Sequence, residues 1–433
     1  MPNGAEGLTQ DMKNIRFTRR QTMGLLAASA LLPRPARTQE RARVIVIGGG
    51  FGGATAARAL KALVPDIAVT LIEADRNFFA CPFSNAVIGG FREMKAQQFG
   101  YEAVAGDGVE ILFDIATGVD VNARIVVTAG GGRLNYDRLI LSPGVDMRFD
   151  ALPGYDERAA EVMPHAWKAG NQTVLLRRQL EEMEDGGTVV MSAPANPFRC
   201  PPGPYERASL IAHYLKTNKP RAKLLVLDSK DQFSKQSLFQ KAWAELYPNL
   251  EWVGLSRGGQ VTSVDASQKI LTTDFGTHRA DVANVIPPQT AGRIAHLAGV
   301  ADRTGWCPID PVTFESRLIP NAHVIGDATI AGAMPKSAFS ANAQGKVCAA
   351  AIAALIAGRE PATPKLINTC YSLIAPDYGI SVGDVFRVTP QGIVAAPNAG
   401  GVSPANADPS FRLAEARYAE SWYATMSREI WDA

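Results

Sequence analysis

The sequence predicts an α/β protein with two Rossmann-like dinucleotide-binding domains and a small C-terminal α+β domain. Two observations indicate this class. A strand, a glycine-rich loop, a helix and a second strand ending in an acid follow one another between residues 43 and 73, which is the order of a dinucleotide-binding unit. A second strand–helix–strand frame spans residues 187–228, and a strand that ends in Gly326-Asp327 follows it.

The first unit carries residues suited to a pyrophosphate and a ribose. The β-branched run 44–47 is typical of a buried parallel strand, and it continues into 48–53, which fits Gly-x-Gly-x-x-Gly. The glycines let the backbone approach the pyrophosphate, and the N-terminus of the next helix stabilises its charge. The residues expected there are Gly48, Gly50, Phe51 and Gly53. Glu73 lies 20 residues beyond Gly53, where a carboxylate can accept hydrogen bonds from the ribose hydroxyls.

Two later segments indicate that the first unit binds FAD. Residues 136–144, which end at Gly144, resemble the strand-to-turn motif that leaves the first domain in flavoproteins with two dinucleotide domains. Residues 321–328 resemble their second FAD motif, in which the residue matching Asp327, after Gly326, binds the ribityl chain. A helix predicted to begin near Lys336 would point its positive N-terminus at the pyrimidine edge of the flavin.

The middle frame lacks the loop that a nicotinamide cofactor needs. A helix is predicted over 168–184, a strand over 187–192, a helix over 207–217 and a strand over 223–227. Residues 193–206, where a second glycine-rich turn would lie, contain prolines and bulky side chains instead, and these exclude a pyrophosphate from the backbone. We therefore expect a degenerate NADH-like domain and an electron donor other than NAD(P)H.

Composition excludes several function classes. The chain has 433 residues, 46% of them hydrophobic and 20% charged, with a net charge of +2. The near balance of charge argues against a nucleic-acid partner. After residue 40 no apolar run reaches the roughly 20 residues that a membrane span needs. The five histidines show no metal-ligand spacing, so we expect no metal site.

The N-terminus resembles a twin-arginine export signal. Arg19 and Arg20 precede a short apolar stretch, 24–32, and a proline- and arginine-containing segment, 33–38, in the order of a signal peptide. We expect a mature chain that begins near residue 38–42 and works in the periplasm. The alternative is a basic tail without a targeting role.

Five cysteines are candidates for redox chemistry. Cys81 lies eight residues after Glu73, close to where a flavin ring would lie, and its thiol could be a covalent tether or a redox partner. Cys200 lies in the proline-rich segment 193–206, which we call the middle turn. Cys307 lies shortly before the second FAD motif. These two thiols could form a disulfide that a sulfur nucleophile attacks, or a structural disulfide. The remaining cysteines, Cys348 and Cys370, are expected in the core.

Taken together, these segments resemble the flavoprotein subunit of flavocytochrome c sulfide dehydrogenase. The likeness rests on residues 81–90, 196–206, 305–310 and 326–345. It implies a thioether between Cys81 and FAD, a redox-active pair Cys200–Cys307, and Glu206 as a proton-transfer candidate beside that pair. It also implies a partner, a c-type cytochrome subunit that carries haem, since this chain has no Cys-x-x-Cys-His.

The same resemblance implies oxidation of hydrogen sulfide to sulfur or polysulfide. Three alternatives stay open at this stage: a membrane-surface sulfide:quinone oxidoreductase, a flavoprotein that redox-reactivates a sulfur-oxidising multienzyme system, and an assembly subunit whose flavin is structural. Against a membrane anchor, the closing helix predicted over 413–430 carries several charged residues and is typical of a soluble packing helix. The expected organisation is an export signal at 1–40, a first FAD-binding part at 41–155, a middle domain at 156–290, a second FAD-binding part at 291–358 and a C-terminal interface domain at 359–433.

Overall fold

Residues 43–147 supply most of the first parallel sheet in this computed structural model, which describes residues 41–432. The predicted export signal lies outside the described residues. The elements of this segment are β1 Arg43–Ile47, α1 Gly53–Leu63, β2 Ala68–Glu73, β3 Phe78–Phe79, α2 Ser84–Gly89, β4 Gln98–Phe99, α3 Glu102–Gly106, β5 Glu110–Phe113, β6 Ala116–Asp120, β7 Ile125–Thr128, β8 Arg133–Asn135, β9 Arg138–Leu141 and β10 Val145–Met147.

The middle segment forms a second parallel sheet in the order β13-β12-β11-β17. Its elements are α4 Ala159–Val162, α5 Asn171–Glu182, β11 Thr188–Ala193, α6 Gly203–Asn218, β12 Lys223–Asp228, α7 Gln236–Leu246, β13 Leu250–Val253, β14 Val261–Asp265, β15 Ile270–Thr273, β16 Gly276–Arg279, β17 Val282–Val285, β18 Gln289–Ala291 and α8 Arg293–Leu297.

The last segment returns to the first sheet and then builds a separate antiparallel sheet. Its elements are β19 Cys307–Pro308, β20 Ala322–Val324, β21 Thr329–Ile330, α9 Ala338–Ile356, β22 Lys365–Ala375, β23 Tyr378–Thr389, β24 Gly392–Ala395, β25 Gly401–Val402 and α10 Pro409–Trp431. Strand β20 adds to the edge of the first sheet, whose order is β20-β9-β1-β2-β5, all parallel. The predicted α/β class with two Rossmann-like units is confirmed, and the domain limits stay predictions.

Local chemistry explains where observed helices differ from predicted ones. Helix α5 begins at Asn171 rather than 168, after Gly170, whose φ is +123°. Helix α6 begins four residues earlier than expected because Pro204 is compatible with the first helical turn. Helix α10 begins at Pro409, where the Asp408 carboxylate accepts a hydrogen bond from the Phe411 N–H at 2.9 Å.

The C-terminal hairpin β22–β23 connects the two dinucleotide-type units. Strand β22 packs against α6 of the middle segment and against α9, while β23 packs against α10. Helix α9 has the length and hydropathy of a membrane-crossing helix and is the one such helix in residues 41–432. Of its most apolar stretch, 56% is buried in the protein. Its contacts with α1 and β22 are those of a core helix. The hairpin therefore places its residues beside both the glycine loop and the middle turn.

Candidate functional site

One cavity of ≈ 470 Å³ runs between the glycine loop, the middle turn and the hairpin. We call it the main cavity. The sequence-predicted residues that line it are Gly48, Gly50, Phe51, Glu73, Cys81, Gly144, Cys200, Glu206, Gly326 and Asp327. Gly53, Cys307 and Lys336 are not among its lining residues. The sequence prediction thus located the cavity but did not identify its whole wall.

The glycine loop is shaped by close backbone approaches. Gly48 has φ +94°, and a Cβ there would lie 2.3 Å from the Ser142 carbonyl oxygen. A Cβ at Gly53 would lie 1.8 Å from the Gly48 carbonyl oxygen, closer than atoms can pack. Gly53 therefore packs directly against the backbone of the turn. A Cβ at Gly50 would instead meet only the edge of the Phe78 ring, at 3.3 Å. The loop needs Gly53 for its own conformation and leaves Gly50 free to face a ligand.

Replacing Gly53 by alanine is expected to lower the free energy of unfolding by about 3 kcal/mol, because the backbone must move to admit the methyl group. Gly50→Ala is the matched variant, since its methyl group meets no backbone. We expect this variant to melt near the wild-type temperature but to take up less FAD during its synthesis. Equal melting temperatures for Gly53→Ala and wild type, measured by calorimetry, would contradict the account of the turn.

Glu73 and Gly144 border the far end of the cavity. Glu73 ends β2, and its carboxylate accepts hydrogen bonds from the Gly49 N–H at 2.5 Å and the Ala74 N–H at 2.9 Å. Burial, followed by the nearby Glu73 charge, raises the pKa of Tyr101 far above its usual value. Gly144 lies at φ +63° in the turn after β9. The acid thus occupies the position that recognises a ribose in this fold.

Asp327 offers a buried oxygen that has no partner. Its Oδ1 is buried and accepts no hydrogen bond from the described residues, which is a state that native proteins rarely leave uncompensated. Burial raises the pKa of Asp327, and the charges of Arg199 and Lys336 oppose that rise. The Lys336 ammonium lies behind the turn and donates to the carbonyl oxygens of Asp327 at 2.8 Å and Thr329 at 2.7 Å. Lys336 therefore supports the Gly-Asp turn, and Asp327 presents a free acceptor to a ligand hydroxyl.

Cys81 lies partly buried in the cavity wall, just before α2. Its Sγ is 3.8 Å from the Trp167 carbonyl oxygen. The guanidinium groups of Arg199 and Arg207 are the nearby positive charges. Arg207 is held in place by Asn85 Oδ1 at 3.0 Å and by the His165 carbonyl oxygen at 2.8 Å. Sequence reasoning missed both arginines, although each lies beside a predicted site residue, Cys200 or Glu206.

The structure brings Cys200 together with Cys370. Both thiols line the main cavity, and each of the five cysteines is a free thiol in this structure. Cys200 has a left-handed backbone, φ +57°, and its N–H donates to the Lys336 carbonyl oxygen at 2.8 Å. Burial, and then the neighbouring Cys370 sulfur, raises the pKa of the Cys200 thiol well above its usual value. The predicted core position of Cys370 is wrong, because its side chain is only half-buried and lines the main cavity.

Cys307 does not share that wall with Cys200. Its side chain is fully buried in the core, because β19 pairs in parallel with β21 and packs beneath the Gly-Asp turn. Burial raises the pKa of the Cys307 thiol to about 12, with Lys336 as the nearest opposing charge. The predicted pair Cys200–Cys307 is therefore replaced by Cys200 and Cys370 as the two thiols that meet in one cavity.

Glu206 lies in the first turn of α6 and faces the same cavity. Its two oxygens accept hydrogen bonds from Asn85 Nδ2 and the Leu373 N–H, both at 2.8 Å. Burial raises its pKa, while those hydrogen bonds and the charges of Lys235 and Arg207 oppose the rise. A carboxyl group kept closer to neutrality in this way can carry a proton beside two sulfurs.

In the middle unit, protein side chains engage the acid that ends β12. Tyr205 stacks on Phe233 with ring centroids 3.5 Å apart, and its hydroxyl donates to Asp228 Oδ2 at 2.7 Å. Asp228 ends β12, the position of a ribose-binding acid, but it is fully buried and also binds Lys230 at 2.6 Å and Trp252 at 3.0 Å. The Asp228 carboxylate, which a nicotinamide cofactor would need for its ribose, thus already accepts hydrogen bonds from protein side chains.

NADH is expected to leave the visible flavin spectrum unchanged over minutes, because Tyr205 and the prolines of the turn occupy its site. The measurement is anaerobic mixing in a stopped-flow spectrophotometer, with dithionite as the positive control. Stoichiometric bleaching by NADH within seconds would show that the middle site is functional.

Comparisons with known proteins agree with this geometry. The profile for the central region of the sulfide dehydrogenase [flavocytochrome c] flavoprotein chain matches residues 173–287, and the profile for the flavocytochrome c sulphide dehydrogenase flavin-binding region matches residues 362–431. Residues 42–180 match pyridine nucleotide-disulphide oxidoreductases. A stretch of 45 residues, 10% of the chain, is 60% identical to the sulfide dehydrogenase [flavocytochrome c] flavoprotein chain of Chlorobaculum thiosulfatiphilum and covers 94% of that sequence. The chain belongs to the flavocytochrome c sulfide dehydrogenase flavoprotein family.

More distant relatives share the fold of this flavocytochrome c-type flavoprotein. The mitochondrial sulfide:quinone oxidoreductase of Mus musculus is 24% identical over 305 residues, which is 66% of this chain and 65% of that relative. The alignment therefore spans slightly less than two thirds of the relative's length. The crystal structure of the Aquifex aeolicus sulfide:quinone oxidoreductase superposes with a TM-score of 0.70 at 18% identity, covering 90% of this chain and 92% of that one.

The cofactor of this flavocytochrome c-type flavoprotein is FAD, as predicted. The cavity fits it: Gly48 and Gly50 open the backbone to a pyrophosphate, Glu73 stands at the ribose position, and Asp327 Oδ1 lacks a donor. Phe51 closes the loop and packs edge-on against Trp431, with ring centroids 4.9 Å apart. Within residues 41–432 no group of three or more His, Cys, Asp or Glu side chains could hold a metal ion.

Proposed function

We propose that this protein is the flavoprotein chain of a periplasmic sulfide dehydrogenase. It oxidises hydrogen sulfide to sulfur or polysulfide and passes the electrons to a c-type cytochrome subunit. The observation that carries the proposal is the presence of Cys200, Cys370 and Glu206 in the cavity that also contains the FAD-binding loop and Asp327. The family relationship supports sulfide as the substrate and the haem-carrying cytochrome as the partner.

The two cavity thiols provide the sulfur chemistry. In the oxidised protein they form a disulfide, and hydrosulfide attacks one of its sulfurs. One S–S bond breaks and another forms, which leaves a persulfide on one cysteine and a thiolate on the other. Release of the sulfane sulfur to a second sulfide and closure of the disulfide yield two electrons for each sulfur atom oxidised. FAD supplies the two-electron acceptor that can release electrons one at a time to a haem.

The surrounding charges control protons and anions in the cavity. The side chains of Arg199 and Arg207 place positive charge near Cys200, which favours entry of the hydrosulfide anion. Glu206 can take the proton that hydrosulfide loses, because its carboxylate lies among these groups and not in bulk water. Cys81 contributes the site of a covalent bond to FAD, which prevents cofactor loss outside the cytoplasm.

Glu206→Gln is expected to lower the rate of sulfide oxidation by about 10²-fold, the usual contribution of a positioned proton-transfer group. Ionisation of sulfide affects the variant and the wild type equally, so the ratio of their rates across pH isolates Glu206. The exposed Glu420→Gln on α10 is the matched control. A constant ratio near one from pH 5 to pH 9 would remove Glu206 from the mechanism.

The same variant tests the pKa of Glu206 independently of activity. A carboxyl group with a raised pKa binds more protons in the folded than in the unfolded chain above its ordinary value of 4.5. Its contribution to stability is therefore present below pH 4.5 and is lost as the pH rises through the raised value. In Glu206→Gln this fall in the free energy of unfolding with rising pH is expected to disappear.

The test of the function is anaerobic titration with sulfide, followed by a choice of electron acceptor. Sulfide is expected to bleach the flavin at stoichiometric concentration, which an assembly subunit with a structural flavin would not show. The reduced protein is then mixed with cytochrome c or with decylubiquinone. Faster reaction with cytochrome c supports the proposal, and exclusive reaction with the quinone would establish a sulfide:quinone oxidoreductase. Slow bleaching by sulfide would favour a partner that reactivates a sulfur-oxidising system.

Periplasmic location is a separate part of the proposal, supported by the paired arginines Arg19-Arg20 and the apolar stretch that follows. The expected result is FAD-loaded protein in the periplasmic fraction. Replacement of both arginines by lysine should retain the protein in the cytoplasm with its FAD bound, since twin-arginine export carries folded proteins. Normal export of the double variant would contradict this route.

A further inference from the structure

Asn368 contacts the sulfur of Cys370 directly. Its side-chain Nδ2 donates to Cys370 Sγ at 3.3 Å, and the Sγ is 3.8 Å from Asn368 Oδ1. The two residues lie two positions apart on β22, so their side chains leave the same face of the strand. Asn368 is only 2% exposed, and this buried amide is therefore fixed beside a cavity thiol.

The orientation of the Asn368 amide is set by its other neighbours. Asn368 Oδ1 accepts hydrogen bonds from Ser337 Oγ at 2.6 Å and Ser340 Oγ at 3.2 Å. The Ser337 hydroxyl oxygen itself accepts from the Ser340 N–H at 3.0 Å as the cap of α9. The Ser337 hydroxyl in turn donates to Asn368 Oδ1. Since the carbonyl oxygen of the amide is occupied on that side, the NH₂ group points to the sulfur.

A buried ammonium group lies on the same face of this strand, near Ser372. Lys235 Nζ donates to the Cys370 carbonyl oxygen and to Ser372 Oγ, both at 2.9 Å. Burial lowers the pKa of Lys235 to about 8, and the Cys370 sulfur is the foremost of the groups that oppose the shift. Cys370 thus has an amide donor on its sulfur and a cation near it. Among residues 41–432 the Cys200 sulfur has no comparable amide donor.

We propose that Asn368 is a positioning residue that holds the Cys370 sulfur and stabilises negative charge on it. The thiolate form of Cys370 accepts from Asn368 Nδ2 at the 3.3 Å contact that this amide orientation provides. The inference deepens the proposed function and rests on it, because it concerns the thiolate that forms when sulfide opens the Cys200–Cys370 disulfide. It gives the two cysteines unequal environments.

The test measures the thiols and not sulfide turnover. FAD-loaded protein in its dithiol state is treated briefly with iodoacetamide at neutral pH, and alkylation of Cys370 and Cys200 is quantified by mass spectrometry of their peptides. In Asn368→Leu, the ratio of Cys370 to Cys200 alkylation is expected to fall about tenfold, as loss of a hydrogen bond to a charged group predicts. Ser340→Ala is the matched control, because it removes a partner of Asn368 but keeps the amide beside the sulfur.

The outcomes separate a role at the sulfur from a structural one. An unchanged ratio in Asn368→Leu, or an equal fall in Ser340→Ala, would overturn the proposal. If Asn368→Leu does not retain FAD, Asn368→Thr applies the same test, since its shorter hydroxyl still meets Ser337 but cannot replace the amide. A wild-type protein that does not oxidise sulfide would defeat the proposed function, while the alkylation ratio would still decide the role of Asn368.

Discussion

Replacing Cys370 by serine is expected to lower the rate of sulfide oxidation by on the order of a thousandfold or more, as removal of a reacting nucleophile does in other enzymes. Serine cannot form the disulfide that hydrosulfide attacks, although it fills nearly the same volume. FAD content and the visible spectrum should stay close to those of the wild type, because the glycine loop and Asp327 are untouched. The measurement is steady-state sulfide-dependent reduction of cytochrome c, alongside anaerobic bleaching of the flavin.

Cys307→Ala is the decisive control for this prediction. Cys307 lies in the core beneath the Gly-Asp turn and outside the main cavity, so its loss should affect stability and leave sulfide oxidation near the wild-type rate. Cys200→Ser should match Cys370→Ser, since both members of the pair are required. The reverse pattern, an inactive Cys307→Ala and an active Cys370→Ser, would restore the pair Cys200–Cys307 that the sequence suggested.

The second large effect is expected from Cys81→Ala. In the wild type, denaturation should leave FAD attached to the protein, and the tryptic peptide 77–92 should carry the mass of one FAD. In the variant all FAD should be released by denaturation, because no other cysteine lies at that part of the cavity wall. The folded variant should still bind FAD through the glycine loop and Asp327. Complete release of FAD from denatured wild-type protein would exclude the tether.

Cys370→Ser serves as the matched control for the tether. It also removes a cavity thiol, but one on β22 rather than on the loop before α2. Peptide 77–92 of this variant should keep its FAD. A tether lost in both variants would indicate that attachment depends on the redox pair rather than on Cys81 alone.

Much of the cofactor site could be predicted from local sequence. The run from Val44 to Glu73 combines strand, glycine turn, helix and acid in fixed register, and this turn has no space for a Cβ at Gly53. The loss of the nicotinamide turn was also visible, since prolines at 194, 197, 201, 202 and 204 exclude a glycine-type loop. These features depend on backbone geometry within about 30 residues, which is why spacing alone reveals them.

The partner of Cys200 could not be predicted in this way. Cys370 is 170 residues from Cys200 along the chain. The mixture of small polar and apolar residues around it is as typical of a buried strand as of a strand that lines a cavity. Only the packing of β22 between α6 and α9 turns its side chain to the cavity. Cys307, which lies near the second FAD motif in sequence, is instead held in the core by the β19–β21 pairing.

By itself, the sequence indicated the fold class, the FAD-binding loop, the absence of a nicotinamide turn, and Cys81, Cys200 and Glu206 as residues of one site, all three of which line the main cavity. The tertiary structure decided which second thiol faces Cys200, which arginines and lysine supply the charge, and that Asn368 reaches the Cys370 sulfur. The physical reason is that turn motifs are fixed by the conformational limits of neighbouring residues. The part of the main cavity that holds Cys200, Glu206 and Cys370 lies, in contrast, where three distant segments meet. Only the packing of those segments sets which side chains face the same space.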